Sequence, residues 1–555
     1  MAQEQFLSLL QTALLENDTV DAERLINLPS NQSVIKEHLW EIVPSITVYI
    51  NSEADIEEDV RLTQCVDLLD LACSKCSSED IILALHKEIS DCDDDVKYGY
   101  LLKQLHKALV REEEVRLKYQ EFAFGAVKGY LKKLPLPDNL NLENKERFLM
   151  DTDRDVYRIC DVYTKISEFY SDELIAKFET SRVLVLYLLH LFGTPLVYLD
   201  LICLNETKSR GRLLAEKIVV RVAEKCDVFK FLSDRKFESN LGDIDKLSLL
   251  NFYYLIIQED IGGSLVPKIY DSLYLLQNCL GFIAQGFEHE HQFIIEKSLL
   301  LVTKLLALNK HRELSHLMLE DPVHQQFCTG ISKIIIYCPL KSDRQRALDV
   351  FKTYLLSFDT HGRYLIIYNM LQLCTHSGLN GFMTTIYKDM LAEALKSDQL
   401  DSHFSGKKFH NMLKMFTNLP KREESDLLEL ADLIVPTLNL IRYLAIRDRA
   451  NVTGIWNHVR EFTEEYLEPL TKGLRLSRAH YNLKINELEQ EAAKGDDCKR
   501  KESSKVSVSI GGGNLPEMTS AQQMNVMNTS LTAFDVMGSL LTRVVELVIF
   551  KNVKP

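Results

Sequence analysis

The sequence predicts an all-α fold built as an α-solenoid with degenerate repeats. Proline (13 residues) and glycine (22 residues) occur at about half their usual frequency in this 555-residue chain, which favours long helices over a turn-rich β sandwich. Apolar residues make up 46% of the chain and charged residues 26%, so there is enough apolar surface for a packed core. Apolar residues also recur at helical spacing along most of the chain.

The first helical stripe begins near the N-terminus, where Phe6, Leu9, Leu10, Ala13 and Leu14 follow the spacing i, i+3, i+4, i+7 and i+8. A second stripe runs through the residues 347, 350, 351, 354, 355 and 358, and the capping-box pattern "SDRQ" precedes it. The segment "DLLELADLIVPTLNLIRYLAI" is also helical, with a predicted break or kink at Pro436, because proline lacks an amide donor.

The length of the chain favours an array of stacked helix pairs, because single cores stop growing at roughly 250–300 residues. No fixed repeat period is evident, so any repeats are degenerate. We predict an N-terminal helical repeat region at 1–330 and a C-terminal region at 331–555. The polar, glycine-containing stretch at about 493–516 has little to bury, and it predicts a flexible loop.

The charge and cysteine content narrow the classes of function. A net charge of −15 disfavours general nucleic-acid binding, which needs concentrated Lys and Arg. The twelve scattered cysteines and an N-terminus unlike a signal peptide predict reduced thiols and a cytoplasmic location. The longest apolar run, Val183 to Leu189, is far shorter than the roughly 18 residues of a membrane span, so we expect no membrane insertion.

The segment from residue 51 to residue 95 is strongly acidic, with fourteen Asp or Glu against three Lys or Arg. A solvated acidic face of the first helices is one interpretation. The alternative is a scaffold or adaptor that binds basic peptides or transcription regulators through this segment.

No pattern indicates catalytic chemistry, and we predict no catalytic, cofactor-binding or metal-ligating residues. Cys73 and Cys76 have the spacing of half a zinc site, but no second pair follows at suitable distance, so both are interpreted as buried helix residues. "HEHEHQF" has Phe293 where a zinc-protease helix needs its second histidine. The chain is predicted to bind other macromolecules and not to be an enzyme.

The segment Thr437 to Phe462 carries arginines on an apolar background. On a helix, Leu440, Ile441, Leu444 and Ala445 form one apolar face, and Arg442 lies outside it. From residue 442 to residue 480 there are seven basic residues against five acidic ones, in a chain that is acidic overall. Arg and Tyr are enriched at interface anchors, so this region predicts a protein-binding surface.

Six ordered segments of the C-terminal half resemble the glomulin family. They are "YCPLKSDRQRALDVFKTYLLSFDTHGRY", "HSGLNGFM", "LNLIRYLAIRD", "TGIWNHV", "YLEPLTKGLRLSRAHY" and "LTAFDVMGSLLTRVVELV", between residues 337 and 548. The resemblance implies a HEAT-like helical protein whose C-terminal region binds the RING subunit of cullin–RING ubiquitin ligases. Binding would mask the surface on which the ubiquitin-conjugating enzyme docks, and the zinc ions would belong to the partner. Immunophilins and receptor tails are further partners that the resemblance implies.

The predicted RING contacts combine this resemblance with helical exposure. They are basic or aromatic residues on the outer faces of two helices within the matching segments: Arg442, Tyr443, Arg447, Arg475, Arg478, His480 and Tyr481.

Overall fold

The structure is a computed structural model that describes residues 2–52, 59–178, 181–203, 207–232, 244–397, 399–493, 509–510, 513–514 and 520–553. The regular secondary structure of the described residues is almost entirely helical, which confirms the all-α prediction. The α-helices are α1 Ala2–Leu15, α2 Thr19–Asn27, α3 Gln32–Glu37, α4 Leu39–Thr47, α5 Asp59–Ser74, α6 Ser78–Asp91, α7 Asp95–Arg111, α8 Glu113–Leu131, α9 Arg154–Phe169, α10 Asp172–Ala176, α11 Arg182–His190, α12 Arg210–Lys225, α13 Lys246–Tyr253, α14 Ser272–Phe287, α15 Gln292–Leu308, α16 Pro322–Tyr337, α17 Lys341–Leu356, α18 Thr360–Leu373, α19 Ser377–Ala394, α20 Gly406–Phe416, α21 Ala431–Arg447, α22 Val459–Phe462, α23 Glu468–Ala493 and α24 Ser520–Val553.

Two short strands, β1 Ser509–Ile510 and β2 Gly513–Asn514, pair antiparallel. They fall within the predicted flexible loop at 493–516, most of which lies outside the described residues. The predicted flexibility therefore stays a prediction.

The chain forms two compact units. The first comprises residues 1–312 and 321–350, and the second comprises residues 313–320 and 351–555. In the first unit, each helix packs mainly on helices one to three places away along the chain: α6 on α7 and α8, α7 on α9, α9 on α12, and α14 on α13, α15 and α16.

The second unit is built around α19, α21, α23 and α24. Helix α21 packs on α19 and α24, and α24 also packs on α23. The buried side of α24 follows an alternating spacing of three and four residues, which is the pattern that keeps one apolar stripe facing its neighbours. The buried residues are Met527, Ser530, Phe534, Met537, Leu541, Val544 and Val548.

The predicted helical stripes are largely confirmed. Four of the five residues in the first stripe are buried, whereas Leu9 is 48% exposed. All six residues of the stripe between Ala347 and Phe358 are buried. The helix that carries the stripe as far as Leu355 begins at Lys341, so Ser342 of the capping-box pattern lies inside the first turn and does not precede it.

The predicted break at Pro436 is wrong, because α21 runs unbroken through this proline, and the alternative of a kink stays a prediction. Proline cannot donate to the carbonyl four residues earlier, which is that of Asp432. Gly381 of α19 packs against this same carbonyl, so closely that a Cβ atom at residue 381 would lie 1.9 Å from the Asp432 oxygen. The neighbouring helix therefore covers the carbonyl that Pro436 leaves without its helical donor.

The first unit contains a buried ionic cluster. Arg147 and Glu296 are 6% and 5% exposed and form an ion pair, and Arg346 Nη1 lies 3.2 Å from Glu296 Oε1. Lys297 is fully buried and donates to the Val197 carbonyl at 2.7 Å. Burial lowers the pKa of Lys297 to about 7. Such groups are stable inside a protein only when they are paired or lose their charge.

The apolar segment at Val183 to Leu189 lies in the nine-residue helix α11, whose residues Leu184, Val185, Leu188 and Leu189 are buried. Among the described residues, none of the helices combines the length and the apolar character that crossing a bilayer requires.

Cys73 and Cys76 are buried, as predicted, and burial raises their pKa values to about 12 and 11. A thiol with so high a pKa is a poor thiolate donor for a metal ion.

Candidate partner-binding surface

The C-terminal half of α21 has a buried apolar face and an outer face that carries basic side chains. Leu440, Ile441, Leu444 and Ala445 are buried, as predicted, and this places the remaining side chains of the last two turns outside the core. Arg442 and Tyr443 are half-buried, and Arg447 is exposed in the last turn. An arginine at this end also interacts favourably with the helix dipole.

Helix α23 changes character along its length. Leu470 and Leu474 are buried, and Gly473 allows the helix to approach the Glu423 carbonyl, which would lie 3.0 Å from a Cβ atom at residue 473. From residue 475 to residue 490, by contrast, no side chain is fully buried. Arg475 and His480 are exposed on this part of the helix.

Arg478 and Tyr481 face α24. Arg478 Nη2 donates to Asp535 Oδ1 at 2.6 Å and to the Phe534 carbonyl at 3.2 Å. The Tyr481 ring meets the Phe534 ring edge to face, with 5.3 Å between the centroids. Partial burial raises the pKa of Tyr481. These two side chains hold α23 and α24 together, so part of their bonding capacity is already used within the chain.

The seven predicted contact residues therefore fall into two groups. Arg442, Tyr443 and Arg447 lie on α21, and the other four lie on α23. Both helices pack against α24. Within the described part of the chain, Arg442, Arg447 and Arg475 have no ion-pair partner, which leaves their guanidinium groups available for carboxylates of another protein. No observation tests whether a partner binds here, so the seven contacts stay predictions.

Exposed apolar side chains accompany these arginines, and sequence reasoning missed them. Leu476 and Leu483 of α23 are 59% and 62% exposed, and Ile446 of α21 is 45% exposed. Leu476 and Leu483 are seven residues apart, with His480 between them, so all three lie on one side of the helix. The sequence pattern that could have revealed these apolar side chains is the seven-residue spacing of Leu476 and Leu483, which follow the buried Leu470 and Leu474 on α23. Apolar groups next to Arg are typical of the centre of protein interfaces.

A groove of about 630 Å³ lies in the first unit, between α2, α5 and α7. Val20 and Leu71 contribute apolar surface to its lining, and Glu23 and Asp67 contribute exposed carboxylates. Neither carboxylate is ion-paired to another residue that the structure describes. The adjacent Asp70 is paired with Lys107.

The fold and this surface define an all-α protein that presents an exposed, arginine-bearing helical surface. Residues 247–509 match the family model described as the uncharacterised YAP/Alf4/glomulin family. The chain is 30% identical to glomulin of Homo sapiens over 307 residues, which is 55% of this chain and 50% of that protein. It is also 30% identical to glomulin of Mus musculus over 308 residues, which is 55% of this chain and 51% of that protein. This region of the chain is similar to the YAP/Alf4/glomulin family, and the chain spans about half the length of the curated relatives it matches.

Proposed function

We propose that the chain is a non-catalytic, cytoplasmic regulator that binds the RING subunit of cullin–RING ubiquitin ligases through α21 and α23. Binding would cover the RING surface on which the ubiquitin-conjugating enzyme docks, so ligase activity would fall by competition. We further propose that the sequentially packed helices are degenerate HEAT-like repeats, with the RING-binding region at 331–555. The match of residues 247–509 to the family model supports this proposal.

The observation that carries the site assignment is the exposed stretch of α23 after Leu474. Helices that face only their own core bury a residue on almost every turn, whereas none of the residues 475–490 is fully buried. This stretch combines Arg475 and His480 with the exposed leucines at 476 and 483. An apolar centre with charged neighbours is the composition expected of a helix that docks on a partner.

Competition with the ubiquitin-conjugating enzyme is the direct test. The full chain is titrated into a complex of purified RING subunit and fluorescently labelled conjugating enzyme, and displacement is followed by fluorescence anisotropy. The proposal requires the enzyme to be released as the chain saturates the RING subunit. Retention of the enzyme at saturation contradicts the proposed mechanism.

The site is tested with a triple variant in which Arg442, Arg447 and Arg475 become Ala. Loss of even one true anchor costs about 2 kcal/mol, roughly 30-fold in affinity for the RING subunit. The matched control replaces three exposed basic residues of the same unit that lie outside the surface, Lys396, Lys407 and Arg460. Equal RING affinity for the two triple variants contradicts the site assignment.

The groove in the first unit supports a second candidate function, a scaffold that binds basic peptides. The two exposed carboxylates, Glu23 and Asp67, would attract Lys or Arg side chains, and the apolar lining would hold the rest of a peptide. The test measures binding of an oligo-arginine peptide to the full chain at low and high salt. Peptide binding should weaken with salt and in the double variant Glu23→Gln, Asp67→Asn, and it should not change in Glu113→Gln, an exposed carboxylate elsewhere in this unit.

A further inference from the structure

Two histidines and a glutamate converge in the second unit, and none of them is among the seven predicted contact residues. His410 lies on α20, His458 ends the short 3-10 helix Ile455–His458, and Glu461 lies on α22. One potential ligand atom from each of the three residues lies within 4.8 Å of the other two. The two imidazole rings stack with 3.8 Å between their centroids.

Both imidazoles direct a nitrogen at one oxygen of the glutamate. His410 Nε2 lies 3.4 Å from Glu461 Oε2, and His458 Nδ1 lies 3.3 Å from the same oxygen. Charge-assisted hydrogen bonds are shorter, at about 2.7–2.9 Å. In a tetrahedral zinc site with metal–ligand bonds of about 2.0–2.1 Å, neighbouring ligand atoms lie about 3.3 Å apart. The observed nitrogen–oxygen separations match the ligand spacing of such a site better than they match hydrogen bonds.

The backbone around His458 is held in place by the preceding loop. Asp448 accepts from the Val452 amide at 2.7 Å and from the Thr453 amide at 3.1 Å, and the Trp456 indole donates to the Asp448 carbonyl at 3.1 Å. The Gly406 amide at the start of α20 donates to the Thr453 carbonyl at 3.1 Å. The helix that carries His410 and the loop that carries His458 are therefore fastened to each other, which fixes the spacing of two of the three ligands.

We propose that His410, His458 and Glu461 bind a divalent transition-metal cation of the zinc class. Two imidazoles and one carboxylate form a three-ligand set that zinc uses, with the fourth position left for water or an outside ligand. The side chains of His410, His458 and Glu461 are 17%, 41% and 32% exposed, so the ion has a path from solvent. Rotation of the imidazoles out of their stack closes the set around one ion.

Lys414 is the group that opposes the cation. Its Nζ lies 2.6 Å from Glu461 Oε1, the oxygen that faces away from the histidines, and its side chain is 51% exposed. Its positive charge repels a bound metal ion through the shared carboxylate, but exposure to solvent screens much of this repulsion. Removal of Lys414 is therefore expected to strengthen metal binding, whereas loss of a ligand is expected to abolish it.

The test is titration of the full chain with ZnCl2 by calorimetry, together with the absorption spectrum after addition of CoCl2. The wild type should bind one equivalent more zinc than His458→Gln or Glu461→Gln, and the cobalt bound at this site should lack the sulfur charge-transfer band that thiolate ligands produce. His311→Gln, which alters an exposed histidine outside the cluster, should bind as the wild type does. Lys414→Met should bind zinc about two- to fivefold more tightly.

Equal zinc stoichiometry in the wild type and both ligand variants overturns the proposal. A zinc affinity in Lys414→Met no higher than that of the wild type also overturns it. The Lys414→Met measurement keeps the test decisive where a ligand variant fails to fold, because it predicts a gain of binding in an intact protein.

Discussion

Replacement of Gly381 by alanine should destabilise the second unit, whereas the same change at a glycine with free space around it should not. The new Cβ atom would lie 1.9 Å from the Asp432 carbonyl oxygen, in a contact where real Cβ atoms essentially never come closer than 3.0 Å. The obstacle is backbone, which cannot rotate away as a side chain can. Helices α19 and α21 must therefore separate by about 1 Å along this contact.

The loss of stability can be estimated from the packing contacts that are weakened when α19 and α21 separate. Residues close to Gly381 and Asp432 in the sequence are buried on both helices: Met383 and Thr384 on α19, and Leu433 and Ile434 on α21. A gap of 0.5–1 Å forfeits about a quarter to a half of each dispersion contact across it. Forced expansion of a packed core typically costs about 1–3 kcal/mol, and a clash with backbone belongs at the upper end. We therefore expect a loss of about 3 kcal/mol.

Gly129→Ala is the matched control. Gly129 lies inside helix α8, is exposed, and has no atom within 4 Å of the position of an added Cβ. The same chemical change should stabilise that helix by about 0.5–1 kcal/mol, because glycine loses more backbone entropy on folding than alanine. The two variants should therefore change the free energy of unfolding in opposite directions, because packing dominates at Gly381 and intrinsic helix propensity dominates at Gly129.

Thermal unfolding followed by calorimetry measures both effects in the full chain. A change of 1 kcal/mol shifts the midpoint by roughly 2–4 °C in a body of 150–250 residues, so Gly381→Ala should lower the transition of the second unit by about 6–12 °C. Hydrogen exchange should accelerate in α19 and α21. A midpoint for Gly381→Ala equal to or above that of the wild type would refute the packing argument.

Three further predictions concern charged side chains. A double-mutant cycle on Arg478 and Asp535 should give a coupling energy of up to about 1 kcal/mol in thermal unfolding, because the ion pair is exposed. A coupling energy of zero would mean that this ion pair does not hold α23 to α24. Glu296→Gln leaves the buried Arg147 with only the Asp200 carboxylate, which lies 3.8 Å from its Nε, and should cost up to about 3–5 kcal/mol by the same assay, whereas a cost below about 1 kcal/mol would contradict the buried pair. Lys297 has a pKa of about 7 in the folded chain, below its unfolded value, so its amine binds more protons in the unfolded chain between about pH 7 and pH 10. Its contribution to stability therefore rises with pH across this window, and the stability of the wild type relative to Lys297→Met should rise with pH; a difference that stays constant with pH would contradict the lowered pKa.

Most of the helices and their buried faces could be predicted from the sequence, because helical periodicity is a local property. The stripe from Ala347 to Phe358 and the apolar face of Leu440 to Ala445 are buried as predicted. The unbroken helix at Pro436 could not be predicted from the same reasoning, since it depends on the close approach of Gly381, more than fifty residues earlier in the chain. Tertiary packing can override the intrinsic helix propensity of a residue, and such packing is not visible in a local stretch of sequence.

Some residues of the candidate sites could be predicted from a single helix, whereas others depend on contacts between separate elements. Exposure of Arg447 and Arg475 follows from the helical faces alone, whereas the engagement of Arg478 depends on Asp535, which lies on another helix. His410 is separated by about fifty residues from His458 and Glu461, so the sequence does not show that the three residues meet. Sites that assemble from separate elements leave a signal only in the folded chain.

The dimensions of α23 indicate that a RING-binding surface needs both groups of predicted contacts. The exposed stretch from residue 475 to residue 490 is about 24 Å long at 1.5 Å per residue. A helix about 10 Å wide therefore offers roughly 240 Å² on this stretch, whereas a stable interface buries about 800 Å² on each partner. The end of α21, with Arg442 and Arg447, must supply part of the remainder. Arg447→Ala and Arg475→Ala should thus each weaken RING binding when made separately, and an unchanged affinity in either variant would confine the interface to the other helix.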